Sequence, residues 1–207
     1  MNYCSLCGVK VERRVPEGDN RPRDCCPDCG TIFYVNPKVV VGCIVEHAGR
    51  VLLCRRAIEP RRGFWTCPAG FLELGESVEA GAVRETWEEA MARVEILGLH
   101  SHFDVPHIGQ CYVVFRARLQ GEDFGAGEES LETALFEFED IPWEQTAFPV
   151  LRHSLQRWVE DRKAGRVRVH TGVVQWQPGQ PKYEIDSYRL IDDRAVTVVD
   201  PGGGQPG

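Results

Sequence analysis

The sequence predicts an α/β fold in which a mixed sheet packs between helices, behind a short cysteine-rich segment. Two features indicate this class. Strand candidates, one of them a β-branched run, alternate with two helix candidates, and 43% of the 207 residues are hydrophobic, which is enough for one full core. We expect three parts: a small N-terminal segment at residues 1–34, a main domain at 35–165 and a partly ordered extension at 166–207.

Four cysteines form two pairs in the first part, Cys4 with Cys7 and Cys26 with Cys29. Two residues separate the members of each pair and a glycine follows each pair, which is typical of a four-thiolate zinc ribbon. Two disulfides would use the same cysteines, but the chain starts without a charged-then-apolar signal sequence. We therefore expect a cytoplasmic protein, in which disulfides are rare. Cys25 could replace Cys26, although only Cys26 keeps the two-residue spacing.

Charge and hydropathy argue against two classes of partner. Residues 1–30 carry five basic and five acidic side chains and the whole chain has a net charge of −7, whereas a nucleic-acid-binding surface usually has an excess of Lys and Arg. No stretch approaches the roughly 18 apolar residues that span a membrane. We therefore expect a structural zinc ion, a small-molecule substrate, and neither nucleic acid nor a membrane as a partner.

The main domain begins with a predicted hairpin. The β-branched run at residues 39–45 pairs with residues 50–55 through a turn at residues 47–49. A loop with turns at residues 68–70 and 74–76 follows, and Ser77 then starts a helix.

Strands and a second helix are predicted in the rest of the chain. The strands fall at residues 94–102, 110–119 and 135–138, and the helix runs from Pro149, which suits a first turn, to about Lys163. Beyond residue 166 the signal is weaker. Two strands are possible there, at residues 167–174 and 195–199. Prolines interrupt this stretch, and residues 201–204 form a glycine-rich end. This extension could complete a homodimer or cover the edge of the sheet.

Three carboxylates share one face of the first helix. Residues three and four apart face the same way, so Glu85 lies beside Glu88 and Glu89, and Arg84 can reach Glu88. Converging carboxylates repel one another and raise their pKa values, and a bound cation is the expected compensation. Oxygen ligands favour Mg²⁺ or Mn²⁺. A solvated helix face is the alternative, but it leaves the two turns before the helix unexplained.

The segment from residue 70 to residue 89 resembles the signature of the Nudix hydrolase family. The fixed positions of that signature are occupied here by Gly70, Glu76, Arg84, Glu85, Glu88 and Glu89. The resemblance implies an α/β/α sandwich with a mixed sheet, and a metal-dependent pyrophosphohydrolase. It also implies a distal metal-binding or base glutamate, for which Glu132 is preferred and Glu129 is the runner-up.

The expected mechanism is attack of water on phosphorus, with either Glu89 or Glu132 accepting the proton. Glu76 and Arg84 are expected to position the cluster. The expected metal ligands are the carbonyl of Gly70 and the carboxylates of Glu85, Glu88, Glu89 and Glu132.

Three residues depart from the usual form of the signature. Thr86 and Ala92 stand where larger aliphatic residues are common, and Met91 stands where a glycine usually ends the helix. The left-handed conformation of such a glycine costs other residues about 1–2 kcal/mol. Because Ala90, Met91 and Ala92 are adequate helix formers, we expect the helix to continue through about Ala92.

Substrate-binding residues are expected on both sides of this helix. Four arginines and one glutamate between residues 55 and 62 give a local charge of +3, which suits phosphate, although surface arginines are often only solvated. Asp104 and Gln110 lie in a region that could recognise half of a nucleotide. The expected set is Arg55, Arg56, Arg62, Asp104 and Gln110.

Residues 4–172 resemble the zinc-ribbon Nudix subgroup that includes FAD and ADP-ribose pyrophosphatases. This resemblance implies hydrolysis of FAD to FMN and AMP, or of ADP-ribose to ribose 5-phosphate and AMP. An NADH pyrophosphatase and a hydrolase of oxidised nucleotides are alternatives. A non-catalytic nucleotide sensor with a partner-binding ribbon is an alternative of another class, but such sensors tend to lose the carboxylates that this chain keeps.

Overall fold

A computed structural model describes residues 1–182 and 184–198. Contacts between Cα atoms divide the chain into two compact units, Met1–Pro37 and a second unit that begins at Lys38. The three-part division at residues 34/35 and 165/166 stays a prediction.

The first unit contains a three-stranded antiparallel sheet. Its strands, in spatial order, are β1 (Glu12–Arg14), β2 (Arg23–Cys25) and β3 (Ile32–Phe33). Two tight turns carry the four predicted cysteines. In these turns the amide of Gly8 donates to the carbonyl of Cys4 at 2.9 Å and the amide of Gly30 to the carbonyl of Cys26 at 3.2 Å.

The second unit is built on one large mixed sheet. Its strands are β4 (Lys38–His47), β5 (Arg50–Arg56), β6 (Trp65–Thr66), β7 (Ala69–Phe71), β8 (Val94–Val105), β9 (Gln110–Leu119), β10 (Ser130–Phe136), β11 (Arg168–Trp176) and β12 (Tyr188–Thr197). The main path runs β10-β5-β4-β9-β8-β11-β12, with β6 beside β5 and β7 beside β4. The pairs β4–β9 and β8–β11 are parallel and the others are antiparallel, which confirms the mixed sheet.

Helices cover both faces of this sheet. The helix α1 (Val78–Ala90) and the helix α2 (Pro149–Lys163) belong to two separate core clusters. Side chains alternate along β4: Val40 and Ile44 pack in the cluster of α2, whereas Val41 and Cys43 pack in that of α1. The predicted α/β/α sandwich is confirmed. No helix of residues 1–182 and 184–198 combines the length and apolar character needed to cross a membrane.

Most predicted elements match the structure, and β10 and the extension differ. The hairpin of β4 and β5, the strands β8 and β9, and α2 lie where they were expected. β10 begins at Ser130, five residues before the prediction, because Leu131–Thr133 is too polar for a clear strand pattern yet pairs with β5. The described part of the extension forms β11 and β12, which continue the main sheet. The predicted break at 201–204 and residue 199 of the last predicted strand lie outside the described residues.

The prediction that α1 continues through Ala92 is wrong. The helix ends at Ala90, and Met91 is left-handed, with φ 49° and ψ 24°. Hydrogen bonds offset the cost of this conformation: the amide of Met91 donates to Trp87 at 2.8 Å and the amide of Gly125 to Ala90 at 2.8 Å. Ala90 and Ala92 are also fully buried. The side chain at the glycine position of the signature is therefore tolerated because capping and burial compensate for it.

Candidate active site

The loop before α1 is tied to the start of the helix. The hydroxyl oxygen of Ser77 accepts a hydrogen bond from the amide of Ala80 at 3.1 Å, which makes Ser77 the N-cap, as predicted. The carboxylate of Glu76 accepts from the amide of Glu73 at 2.8 Å. β7 pairs with β4 just before this loop, so the loop and α1 are fixed against the centre of the sheet.

Arg84 links the acidic residues to one another and to the loop. Its guanidinium donates to both oxygens of Glu76 at 2.8 and 3.1 Å, and to Glu85 and Glu88 at 2.8 and 2.9 Å. It also donates to the carbonyl of Phe71 at 3.0 Å. The positioning role predicted for Glu76 and Arg84 agrees with these contacts, since one rigid fork holds three carboxylates.

The carboxylate of Glu85 lies directly against the backbone of Gly70. A Cβ atom at residue 70 would lie 2.3 Å from Glu85 Oε2 and 2.4 Å from its carboxyl carbon. A side chain at this position would therefore push Glu85 away from β7. Glycine is required at this position because the carboxylate approaches the backbone closely. The predicted ligand set, which combines the Gly70 carbonyl with the Glu85 carboxylate, needs the two groups to be this near.

Glu89 is the most buried carboxylate of the cluster. Only 6% of the residue is exposed, and the amide of Ala69 donates to its Oε2 at 3.0 Å. Burial raises the pKa of Glu89 to about 8, and burial also raises the pKa of Glu85. The side chain of Glu88 is 55% exposed. The helix thus presents one buried carboxylate, Glu89, one partly buried carboxylate, Glu85, and one solvated carboxylate, Glu88.

These side chains fit a hard divalent cation. Desolvation raises the pKa values of Glu85 and Glu89, so these two carboxylates gain most from a positive charge placed between them. Arg84 already donates to Glu76, Glu85 and Glu88, so it compensates the outer side of the cluster. The donor atoms are all oxygens, which suits Mg²⁺ or Mn²⁺.

Of the two loop glutamates, Glu129 interacts with the cluster. Its charge contributes to the raised pKa values of both Glu85 and Glu89, and its carbonyl accepts from the amide of Ala57 at 2.7 Å. Glu132 instead pairs with Arg55 at 3.3 Å on the exposed side of β10, beyond a register shift. Both side chains are exposed, and the preference for Glu132 with Glu129 as the runner-up stays a prediction.

A glycine holds this loop on the end of α1. A Cβ atom at Gly127 would lie 1.7 Å from the carbonyl oxygen of Glu88, and the amide of Gly127 donates to the carbonyl of Glu89 at 3.1 Å. The loop that carries Glu129 thus caps the helix that carries the other carboxylates. Gly127 was not predicted as a site residue, and its only signal is its place in a glycine-rich loop.

The predicted substrate-binding arginines occupy different environments. Arg56 is 8% exposed, donates to the carbonyl of Pro60 at 2.9 Å and lies 4.9 Å from the ring centre of Phe148. Burial raises the pKa of Glu89, and the charge of Arg56 counters part of that shift. Arg55 donates hydrogen bonds to Gly63 and Glu132, and Arg62 is exposed. Arg56 is thus the buried arginine of the three, and the substrate-binding role of these arginines stays a prediction.

Asp104 and Gln110 lie outside the cluster. Asp104 is 3.6 Å from His102, and both side chains are about half exposed. Because side chains alternate along β8, Asp104 faces away from the side to which Val105 points. Gln110 accepts a hydrogen bond from the hydroxyl of Tyr112 at 3.0 Å. Gln110 therefore touches the cavity described next only through Tyr112, which lines it. Asp104 lies on the other face of the sheet.

A cavity of about 300 Å³ opens beside Arg56 and was not predicted. Its walls combine aromatic rings with basic side chains, and they include Arg61, His107, Tyr112, Phe148, Lys182 and Tyr188. Ligand pockets of proteins begin at about this volume. No sequence signal identified the cavity, since its walls come from four distant segments of the chain.

The four predicted zinc ligands meet in the first unit. Their ligand atoms all lie within 4.8 Å of one another, with 3.7 Å between the sulfurs of Cys4 and Cys29 and 3.4 Å between those of Cys7 and Cys26. Tetrahedral zinc holds thiolate sulfurs roughly 3.8 Å apart, whereas a disulfide bond is about 2.05 Å long. The group therefore fits zinc. Cys25 lies apart, with its sulfur 3.6 Å from the carbonyl of Arg23.

Two family models match the chain in agreement with its two units. One, described as NUDIX domain, matches residues 36–158, and the other, described as Nudix N-terminal, matches residues 2–35. A crystal structure of a NUDIX hydrolase from Nitrosomonas europaea is 53% identical, with a TM-score of 0.81, and the match covers 84% of this chain and 98% of that one.

Curated relatives are more distant. An ADP-ribose pyrophosphatase from Methanocaldococcus jannaschii is 34% identical over 53% of this chain and 68% of that protein. A NAD-capped RNA hydrolase NudC from Chromobacterium violaceum is 32% identical over 56% of this chain, and the match spans only 44% of that protein. Nudix hydrolase 19 of Arabidopsis thaliana is 33% identical over 64% of this chain and 31% of its own length.

Proposed function

The chain belongs to the Nudix family, and from this premise we propose that it hydrolyses the diphosphate linkage of a nucleotide in a reaction that requires Mg²⁺ or Mn²⁺. The carrying observation is the buried carboxylate of Glu89, held by the amide of Ala69, beside the partly buried carboxylate of Glu85, which lies against the Gly70 backbone. A purely structural acidic helix would expose these side chains, because burying an uncompensated carboxylate is costly.

The residues that would hold the metal are Glu85, Glu88 and Glu89, with the carbonyl of Gly70 and, from the loop, Glu129. When bound, the metal polarises the diphosphate oxygens and lowers the pKa of a water molecule. Arg84 holds the carboxylates of Glu85 and Glu88 in position through hydrogen bonds of 2.8 and 2.9 Å. Arg56 supplies positive charge on the side where a substrate phosphate would approach.

A carboxylate of this cluster accepts the proton of the attacking water. Glu89 suits that role because one of its oxygens, Oε2, accepts from Ala69 at 3.0 Å while Oε1 can take a proton. A loop glutamate is the second possible base. Glu129 is better placed for this role than Glu132, which is paired with Arg55.

The preferred substrates are FAD and ADP-ribose, which would give AMP with FMN or with ribose 5-phosphate. A relative named ADP-ribose pyrophosphatase supports this choice. NADH is a second candidate, supported by a relative from Homo sapiens named NAD(P)H pyrophosphatase NUDT13, mitochondrial, which is 29% identical over 68% of this chain and 38% of that protein. Since other relatives are named NAD-capped RNA hydrolase, the expectation that no nucleic acid binds stays a prediction.

The zinc ion proposed for the first unit is structural. It would be held by Cys4, Cys7, Cys26 and Cys29. The unit has strands of only two or three residues, so metal coordination would contribute much of its folding free energy.

A product assay tests the proposed reaction. The purified protein is incubated with FAD, ADP-ribose, NADH or an oxidised nucleoside triphosphate, with and without Mg²⁺, and the released AMP and other products are separated. We expect metal-dependent release of AMP, reduced about 10²- to 10⁴-fold by Glu89→Gln. Glu79→Gln, an exposed change on the same helix, is the matched control. Tight binding of one compound without turnover would instead indicate a nucleotide sensor.

A further inference from the structure

We propose that the C-terminal hairpin, formed by β11, β12 and the segment between them, completes a pocket for the aromatic base of the nucleotide substrate. The proposal rests on the proposed function, because it concerns the substrate of the same site. FAD, ADP-ribose and NADH all contain an AMP half, so the base in question is the adenine that these compounds share.

The pocket is the cavity of about 300 Å³ beside Arg56. One wall consists of Val174, Lys182 and Tyr188, which belong to the hairpin. These residues follow residue 158, the last residue that the NUDIX domain model matches. The wall is therefore an addition of this chain to the matched domain, and it lies where substrates can be distinguished.

The aromatic residues of the cavity suit a planar ring. The rings of Tyr188 and His107 are 5.4 Å apart and tilted by 40°, and both side chains line the cavity. Tyr112 is 8% exposed and is oriented by its hydrogen bond to Gln110 at 3.0 Å. Phe148 forms another part of the wall. Stacking of a base on aromatic side chains is sequence-tolerant and contributes about 1–3 kcal/mol per base.

Two cations, Arg61 and Lys182, line the cavity, and each charged group packs on an aromatic ring. The guanidinium of Arg61 lies 5.1 Å from the ring centre of Phe64, and the ammonium of Lys182 lies 5.0 Å from that of Trp176. Contacts with ring faces hold a cation in place without using its N–H donors. Arg61 is also held in the left-handed region, with φ 69°. Such strain in a non-glycine residue is concentrated at ligand-binding segments.

Arg56 connects the cavity with the carboxylates. Its guanidinium lies 4.9 Å from the ring centre of Phe148, which lines the cavity. The next residue, Ala57, donates its amide to the carbonyl of Glu129 at 2.7 Å, so the end of β5 also borders the loop at the cluster. A nucleotide with its base in the cavity can therefore extend its phosphates past Arg56 toward Glu89.

Hydrogen bonds and an ion pair hold described residues of the segment between β11 and β12 in place. The hydroxyl of Tyr188 donates to the carbonyl of Lys182 at 2.8 Å, and the indole of Trp176 donates to the carbonyl of Gln180 at 3.1 Å. Asp186 pairs with Arg152 of α2 at 3.5 Å. These contacts place the wall before a ligand arrives, which reduces the ordering cost of binding.

Binding of AMP, a product that cannot be turned over, tests the pocket independently of catalysis. Dissociation constants for AMP and for ribose 5-phosphate are measured by titration calorimetry on the full chain for wild type, Tyr188→Ala, Lys182→Ala and Arg189→Ala. Arg189 follows Tyr188 on the same strand and is exposed, so it serves as the matched control. Circular dichroism melting of each variant confirms that it is folded.

We expect Tyr188→Ala to weaken AMP binding about tenfold to a hundredfold and to leave ribose 5-phosphate binding unchanged. Lys182→Ala is expected to weaken AMP binding as well, while Arg189→Ala changes neither. In turnover assays KM for FAD or ADP-ribose rises and kcat stays close to wild type. An unchanged AMP dissociation constant in folded Tyr188→Ala overturns the pocket even if wild type hydrolyses its substrate. A wild type without hydrolysis, but with AMP binding that depends on Tyr188, overturns only the proposed reaction.

Discussion

Replacing Glu89 by glutamine is expected to stabilise the metal-free protein while it removes most of the catalytic activity. The carboxylate is 6% exposed and burial raises its pKa to about 8, against 4.5 for an ordinary glutamate. Between these two pH values the folded protein holds a proton that the unfolded chain has released. The stability of the metal-free protein therefore falls as the pH rises from 4.5 to 8.

The expected size follows from this pKa difference. At pH 7 the raised pKa of Glu89 lowers the free energy of unfolding of the metal-free wild type by about 3 kcal/mol. Above pH 8 this loss approaches about 5 kcal/mol. Glutamine does not titrate, and its amide oxygen can accept the hydrogen bond that Ala69 donates at 3.0 Å. The variant therefore lacks the cost while it keeps the contact. A gain of this size corresponds to about 10 °C in melting temperature.

Urea unfolding between pH 4.5 and 9 measures the effect, in a buffer that lacks Mg²⁺ and retains zinc. The matched control is Glu88→Gln, which removes a carboxylate from the same helix at a position where the side chain is 55% exposed. Its stability is expected to change by less than about 1 kcal/mol, since exposed ion pairs contribute little. Both variants lose Mg²⁺-dependent stabilisation, but only Glu89→Gln gains stability without the metal.

The reasoning is refuted if Glu89→Gln unfolds at the same or a lower urea concentration than wild type at pH 7 without Mg²⁺. That outcome would mean that Glu89 is ionised and compensated by the protein alone. In that case a metal ion would not be needed to make burial of this carboxylate favourable.

Two further changes test the loop and the ribbon. Gly127→Ala is expected to lower kcat/KM about a hundredfold, because its Cβ would lie 1.7 Å from the carbonyl oxygen of Glu88 and would displace the loop that carries Glu129. The control is Gly125→Ala, whose Cβ would meet nothing within 4 Å. Equal activity of the two variants would contradict the role given to Gly127. Elemental analysis is expected to find about one zinc ion per chain in wild type and loss of zinc with Cys29→Ser, whereas a zinc-free, folded wild type would rule out the zinc ribbon.

Local patterns were sufficient wherever an element depends on its own residues. β9 occupies residues 110–119 as predicted, and α2 begins at Pro149 and ends at Lys163. Met91 shows where such patterns fail. Helix propensity favours continuation at this residue, but the amides of Gly125 and Gly127 cap the helix end from a loop more than thirty residues later. Rules based on neighbouring residues cannot predict a hydrogen-bond donor that lies so far along the chain.

The same distinction applies to the site. The carboxylates of α1 were predictable because helical spacing alone places them on one face. The choice between Glu129 and Glu132 stays a prediction, and the contact that bears on it, the ion pair of Glu132 with Arg55 beside a register shift in β10, is not encoded in local spacing. The spacing of the two residues is compatible with either assignment, and only the pairing with β5 separates them.

The cavity beside Arg56 extends this argument to substrate choice. Chemistry on a diphosphate needs carboxylates that one helix can carry, so that part of the site is compact in sequence. Stacking of a base uses the face of a ring, and in the proposed pocket those surfaces would come from Arg61, Tyr112, Phe148 and Tyr188, which line the cavity. If the hairpin forms one wall, substitutions in β12 can change substrate preference without touching the carboxylates. The reaction and the substrate of this enzyme are then determined by different parts of the chain.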